Sequence, residues 1–335
     1  MKRILSIKTL YCLGGCLIMN QNAIFKKLNP IIHKFLILII FIFALLLNCS
    51  EAEKPEPTWP IVVACAIAWS PDGSTIASMW VPLYWDEFYQ RYDGKDDSAG
   101  VWFINPDGSD LRLFRKSIHS TFDWHPDGSK ILVPGGIINI ADTSLTQFPW
   151  IFGGPRYNSD GSKILSVTTT PIDTAGLWIV NSDGSNLKLI KKAVYDADWA
   201  PNDTEIVFVS AIHASCLLII DTTGTTIDSL SLPETYAPAS INSPPAFSPD
   251  GNKILFEYRT DSLLSDWQIC VIKRDGTGFT QVTEDGGRYP VWSPDGSKIA
   301  YCKHSFWGSE EEGDGQLWVM NADGTNKRQL TFVVK

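Results

Sequence analysis

The sequence predicts an all-β fold: a six-bladed β-propeller of four-stranded antiparallel blades, preceded by an N-terminal signal segment. Three observations carry this. A turn motif, aromatic-x-Pro-Asp-Gly, recurs in exact or near form six times, its aromatic running from Trp69 to Trp292. A second motif, an apolar strand ending in Asn-x-Asp-Gly, follows each first one. The units occupy the chain from Trp59 onward at roughly 46 residues each, the length of one four-stranded blade.

The N-terminal segment comes first in the chain. Residues 1–48 hold six Lys or Arg and no acid, so with a net charge of −9 the remainder carries −15. Such an acidic body lacks the Lys and Arg needed to neutralise phosphates, which excludes nucleic acid as a partner class. Phe35 to Leu47 is an unbroken apolar run of 13 residues. As a helix it rises only ~20 Å, short of the ~30 Å hydrocarbon core. Lys26, Lys27 and Lys34 precede it, and a basic stretch before a short apolar one is the pattern of an export signal. The start is either Met1 or Met19, and a membrane anchor lengthened from Ile31 is the competing reading.

The run ends in Leu46-Leu47-Asn48-Cys49-Ser50, which resembles the lipobox of bacterial lipoproteins, departing from it at Leu47 and Asn48. The resemblance implies cleavage before Cys49 and its acylation. Acyl chains at ~0.8 kcal/mol per buried CH₂ would then hold the protein on a membrane. Residues 49–60 are charged, Pro-rich and poor in apolar side chains, so they read as a flexible tether. The expected division is therefore 1–48 signal peptide of lipoprotein type, 49–60 tether and 61–335 propeller.

The turn motif stands as Trp69-Ser70-Pro71-Asp72-Gly73, Trp124-His125-Pro126-Asp127-Gly128, Phe247-Ser248-Pro249-Asp250-Gly251 and Trp292-Ser293-Pro294-Asp295-Gly296. Tyr157-Asn158-Ser159-Asp160-Gly161 lacks the Pro, and Trp199-Ala200-Pro201-Asn202-Asp203 lacks the Gly. Pro presets φ, Asp bonds its own backbone and Gly takes the left-handed position, so each motif is a hairpin turn. An alternating apolar segment follows, as in Lys298-Ile299-Ala300-Tyr301, so the motif joins two strands, A and B. The second motif, such as Leu177-Trp178-Ile179-Val180-Asn181-Ser182-Asp183-Gly184, joins strands C and D; 137–146 and 217–226 are weaker copies. A lone four-stranded sheet cannot bury both faces, whereas six packed radially can. Trp69, Trp102, Trp124, Trp178, Trp199, Trp292 and Trp318 occupy repeat positions and read as packing between blades.

These units resemble the WD-like propeller repeats of the TolB family, and the last one, Trp292 to Thr331, matches almost throughout. The resemblance covers about residues 60–335 and implies six blades. The α/β domain that precedes the propeller in TolB has no counterpart in this sequence, so a TolB-like lipoprotein is the expectation.

A meander places A–B and C–D turns on one face and B–C and D–A loops on the other. The Asp-Gly turns are short and uniform, so their face reads as scaffold. Two B–C insertions stand out. Blade 1 inserts Met79 to Gly100, with Trp80, Tyr84, Trp85, Asp86, Glu87, Phe88 and Tyr89. Blade 6 inserts Lys303 to Gly315, with Phe306, Trp307, Glu310 and Glu311. Each has a charge of −3. A closed ring makes blades 1 and 6 neighbours, so the insertions should form one acidic, aromatic patch, a candidate binding surface.

No catalytic constellation is found: G-x-S-x-G and H-E-x-x-H are absent and the five His show no ligand spacing. No catalytic residue, metal site or cofactor is therefore expected. Cys65, Cys216, Cys270 and Cys302 each lie in apolar strand-like segments and read as buried thiols, with disulfide pairing left open. The reading is a non-catalytic, monomeric envelope lipoprotein. It is anchored at the periplasmic or cell-surface side of the outer membrane. It binds an envelope protein or cell-wall component through its loop face. The alternatives are a glycan- or peptide-processing enzyme with an acidic channel site, and a structural spacer.

Overall fold

The computed structural model describes residues 61–62, 66–80, 82–86, 91–94, 99–116, 121–149, 153–168, 175–210, 216–232, 244–259, 267–303 and 315–331. The expected signal peptide, Cys49 and the tether lie outside these residues. Six four-stranded sheets are present, each with its strands hydrogen-bonded in sequence order and every pairing antiparallel. The A and D strands of the blades are, in turn, Ile67–Trp69 and Arg112–Arg115, Asp123–Trp124 and Leu145–Gln147, Gly153–Tyr157 and Lys188–Lys192. Blades 4 to 6 follow as Val194–Trp199 and Thr226–Ser231, Ala246–Phe247 and Thr280–Gln281, Arg288–Trp292 and Arg328–Gln329. All six predicted units are blades, including the weaker copies: Gly136–Asn139 and Cys216–Asp221 are C strands.

The core lies between blades. B and C strands are apolar on both faces because each face meets a neighbouring sheet. Ile254, Phe256, Cys270 and Ile272 of blade 5 pack on Val207, Val209, Leu217 and Ile219 of blade 4. Cys270 stands where Trp stands in other copies, and burial pushes its thiol well above the usual range. Cys216, Cys270 and Cys302 form no disulfide; Cys65 lies outside the described residues. The ring closes by the same packing: Ile67, Trp69 and Ile76 of blade 1 join Ala300, Cys302, Leu317 and Val319 of blade 6. Across this seam Arg328 donates to the carbonyls of Pro106 and Asp107. Blades 1 and 6 are neighbours, as the repeat count requires.

The turn chemistry is as the motif dictates. In blade 6, Asp295 Oδ1 accepts from Ser293 Oγ at 2.6 Å and from the Ser297 N–H at 3.0 Å. These bonds hold its carboxyl down at about 2, and Asp127 and Asp250 are held there in the same way. Gly296 has φ +69°, and a Cβ there would stand 3.4 Å from Pro249 of the preceding turn. The turns thus abut around the ring.

The two departures from the motif compensate each other. Asp203 replaces the blade 4 glycine and holds φ 57°. Its carboxylate reaches back to blade 3, accepting from the Ser159 N–H at 2.8 Å, Ser159 Oγ at 2.6 Å and Asn158 Nδ2 at 3.2 Å. A proline at 159 would have no N–H to give. The missing Pro of one copy and the missing Gly of the next form a single interlock.

Candidate functional site

Strand alternation sets up the channel. The motif aromatic ends each A strand and turns between blades: Trp69, Trp124, Trp199 and Trp292 are all at most 8% exposed. The residue just before it must point the other way, towards the ring axis. Those six residues are Ala68, Asp123, Arg156, Asp198, Ala246 and Val291, one from each blade in turn, and all six line a central cavity of about 350 Å³. Its rim includes Pro126, Pro201, Pro249 and Pro294 of the turn motifs. The turn face, read from sequence as scaffold alone, therefore also borders the channel.

The ring has two halves. Blades 5, 6 and 1 contribute Ala246, Val291 and Ala68. Blades 2, 3 and 4 contribute Asp123, Arg156 and Asp198, so two carboxylates flank one guanidinium. Asp196 of blade 4 lies one alternation deeper. All three carboxylates are partly solvent-accessible, and Asp123 and Asp198 face the channel.

Desolvation governs their charge. Burial pushes the Asp198 carboxyl up to about 7, against the attraction of Arg156, with the charges of Asp123 and Asp196 adding to the rise. Burial likewise lifts Asp196 to about 6. Asp123 is also raised by burial, opposed by Arg156 and by the Tyr157 N–H that donates to Asp123 Oδ2 at 2.8 Å. The Trp199 indole N–H donates to the Arg156 carbonyl at 3.4 Å, which fixes blade 3 against blade 4 beside the charged half. Further along, the fully buried Glu257 accepts from the Tyr289 N–H and lies 3.6 Å from Arg288 Nε. Arg288 makes two cation–π contacts, 5.1 Å from the Trp267 ring centre and 4.9 Å from that of Tyr289.

The predicted loop site is placed in part. Trp80 ends the blade 1 B strand, 8% exposed and stacked on Trp102 at 5.1 Å, within the blade 1–blade 6 core. Beyond it, among the described residues, Pro82–Asp86 and Arg91–Gly94 form a hairpin, and Ile61–Val62 adds a third strand. Its register sets Tyr84 opposite Asp93, Trp85 opposite Tyr92 and Asp86 opposite Arg91. Glu87, Phe88, Tyr89, Phe306, Trp307, Glu310 and Glu311 lie outside the described residues. Among the described residues no group of three or more His, Cys, Asp or Glu is placed to hold a metal ion.

No protein-family model matches the sequence. Solved structures share its architecture. The putative TolB from Agrobacterium tumefaciens aligns with a TM-score of 0.56 at 19% identity, over 68% of this chain and 86% of that one. TolB from Acinetobacter baumannii aligns at 0.55 and 15% identity, over 75% of each chain. The fold is that of a TolB-like propeller. A manganese-bound oligogalacturonate lyase also aligns, with a TM-score of 0.52 at 15% identity over 82% of this chain and 78% of that one. At such identities the likeness speaks to fold, and one fold hosts many functions.

Proposed function

We propose that this chain is a non-catalytic envelope lipoprotein whose TolB-like propeller binds a protein or cell-wall partner through its loop face. The observation that carries the reading is the hairpin of blade 1. Its strands Pro82–Asp86 and Arg91–Gly94 continue the chain past the blade and are tied down by Ile61–Val62. Strand alternation puts Trp85 and Tyr92, register partners, on one face of this sheet, and a backbone preorganised in a sheet reduces the entropy lost on binding. The hairpin follows the B strand of blade 1, and blade 1 packs on blade 6, the blade that carries the second aromatic, acidic insertion. The envelope location rests on the export-signal pattern and on Cys49, with the propeller fold shared with TolB in support.

The test is site-directed photocrosslinking in cells. A crosslinking residue at position 85 should capture a discrete partner, and one at Asp142, on a blade 2 turn, should not. Trp85→Ala with Trp307→Ala should abolish capture from position 89. Equal capture from both faces, or none from the hairpin, overturns the loop-face reading. The mass of the mature N-terminus tests acylation of Cys49 separately.

A further inference from the structure

The central channel has a chemistry that the loop-face reading does not use. One half of its ring is apolar, from Ala68, Ala246 and Val291; the other half carries Asp123, Arg156 and Asp198. With Asp196 behind them, three carboxylates share one guanidinium. Glu257 brings Arg288 as its own counter-ion. Asp123, Asp196 and Asp198 all feel the same Arg156, and burial opposes their ionisation; with all three ionised, one cation faces three anions.

Aromatic residues border both halves: Trp124, Tyr157 and Trp199 beside the charged one, Trp69, Phe247 and Trp292 beside the apolar one. The volume of about 350 Å³ lies in the range of small-ligand sites, roughly 300–1,000 Å³. The described carboxylates are not clustered tightly enough to chelate a bare metal ion. What fits is a larger, softer cation with its own hydrogen-bond donors.

We propose that the central channel is a binding site for an organic cation. The ligand carries an ammonium or guanidinium group on an apolar stem. The charge seats on the Asp123–Asp198 side, and the stem lies along Ala68, Ala246 and Val291. The cation supplies the positive charge that the three carboxylates lack. Two sources present this chemistry, a free small amine and a Lys or Arg side chain of a peptide. The site is independent of the loop hairpin, so either can fail alone.

Binding depends on pH. The charged groups lining the cavity are Asp123 on blade 2, Arg156 on blade 3 and Asp198 on blade 4; His125, Asp196 and Glu257 act on them or on one another by charge from behind the lining, and Glu257 is paired with Arg288. The ligand needs ionised carboxylates, so affinity rises with pH through about 6 and about 7, where Asp196 and Asp198 titrate.

The experiment is calorimetric titration of the full chain at pH 8 with three probes: agmatine, the peptide acetyl-Gly-Arg-Gly-amide, and acetyl-Gly-norleucine-Gly-amide as the uncharged control. Saturable binding of agmatine or of the Arg peptide, with none of the control, is the expected result. Agmatine alone identifies a small-amine site, and the peptide alone a basic-segment site. Asp198→Asn should weaken the binding at least about tenfold, as loss of a charged hydrogen-bond partner does. Asp142→Asn, on an exposed turn, should leave it unchanged. Thermal melts confirm that Asp198→Asn is folded, and Asp123→Asn serves as a second variant. Binding of neither cation, equal binding of the control, or undiminished binding by both folded channel variants overturns the proposal.

Discussion

Two sets of aspartates, one in the turns around the propeller and one gathered on blade 4, are driven in opposite directions by their environments. Asp127, Asp250 and Asp295 sit in the A–B turns, where hydroxyls and backbone N–H groups hold their carboxyls down at about 2. Asp196 and Asp198 sit in the channel, where burial lifts theirs to about 6 and about 7. The first set satisfies the backbone and builds the scaffold. The second is a charged surface folded inward, and its cost makes sense as a feature of a site. The aromatic beside each channel residue belongs with the scaffold. Trp199 and Asp198 are adjacent, yet one packs between blades and the other faces the axis.

Several substitutions sharpen that contrast, the largest effect first. Trp199→Ala empties a buried inter-blade position and should destabilise the fold by about 3–5 kcal/mol in denaturant melts. Asp198→Asn, one residue away, should do the reverse at pH 8 and raise the Tm by about 2 °C or more, because it removes a desolvated charge. A Tm unchanged or lowered there would place Asp198 with the scaffold set.

Asp295→Ala should cost about 0.5–1.5 kcal/mol at pH 7, the scale of the hydrogen bonds it removes. The pH profile separates the sets by sign. The folded channel carboxyls hold protons that the unfolded chain releases near 3.8, so their contribution falls as pH rises from there to about 7. The turn carboxyls are ionised in the fold down to about 2, so theirs is lost as pH falls from 3.8. Stability from the two sets together should therefore peak near pH 4. In Asp196→Asn/Asp198→Asn the decline above that peak should flatten while the acid limb stays.

The smallest effect tests the one place where the turns break their own rule. A double-mutant cycle on Ser159→Pro and Asp203→Gly should show about 0.5–1 kcal/mol of coupling, because each restores a motif residue yet removes half of the interlock. Strict additivity would make the contact between blades 3 and 4 incidental.

Much of this was legible in the sequence. Pro-Asp-Gly fixes a turn locally, and six motif aromatics, 33 to 55 residues apart, fix the blade count, so fold and topology needed no long-range information. The channel ring was written there too, in the residue before each aromatic: Ala68, Asp123, Arg156, Asp198, Ala246 and Val291. Strand alternation alone assigns it to the axis, but alternation does not say that the axis side carries charge rather than packing. Other features were not readable. Trp80 looks like an insertion residue, but the B strand runs on through it and buries it on Trp102. The hairpin at Pro82–Asp86 and Arg91–Gly94 carries no Asn-Gly or Asp-Gly between its strands to announce it. The Asp203–Ser159 interlock joins residues 44 apart, across two copies that each look defective alone.

The most direct test of the contrast is a ¹³C titration of the aspartate carboxyls in the full chain, with and without agmatine. Without it, Asp198 should titrate near about 7 and Asp196 near about 6, while Asp127, Asp250 and Asp295 stay near about 2. With it, only the channel pair should move, downwards, as the bound cation favours the ionised form. Channel carboxyls that titrate in the ordinary range and ignore the amine would contradict the division into scaffold and site.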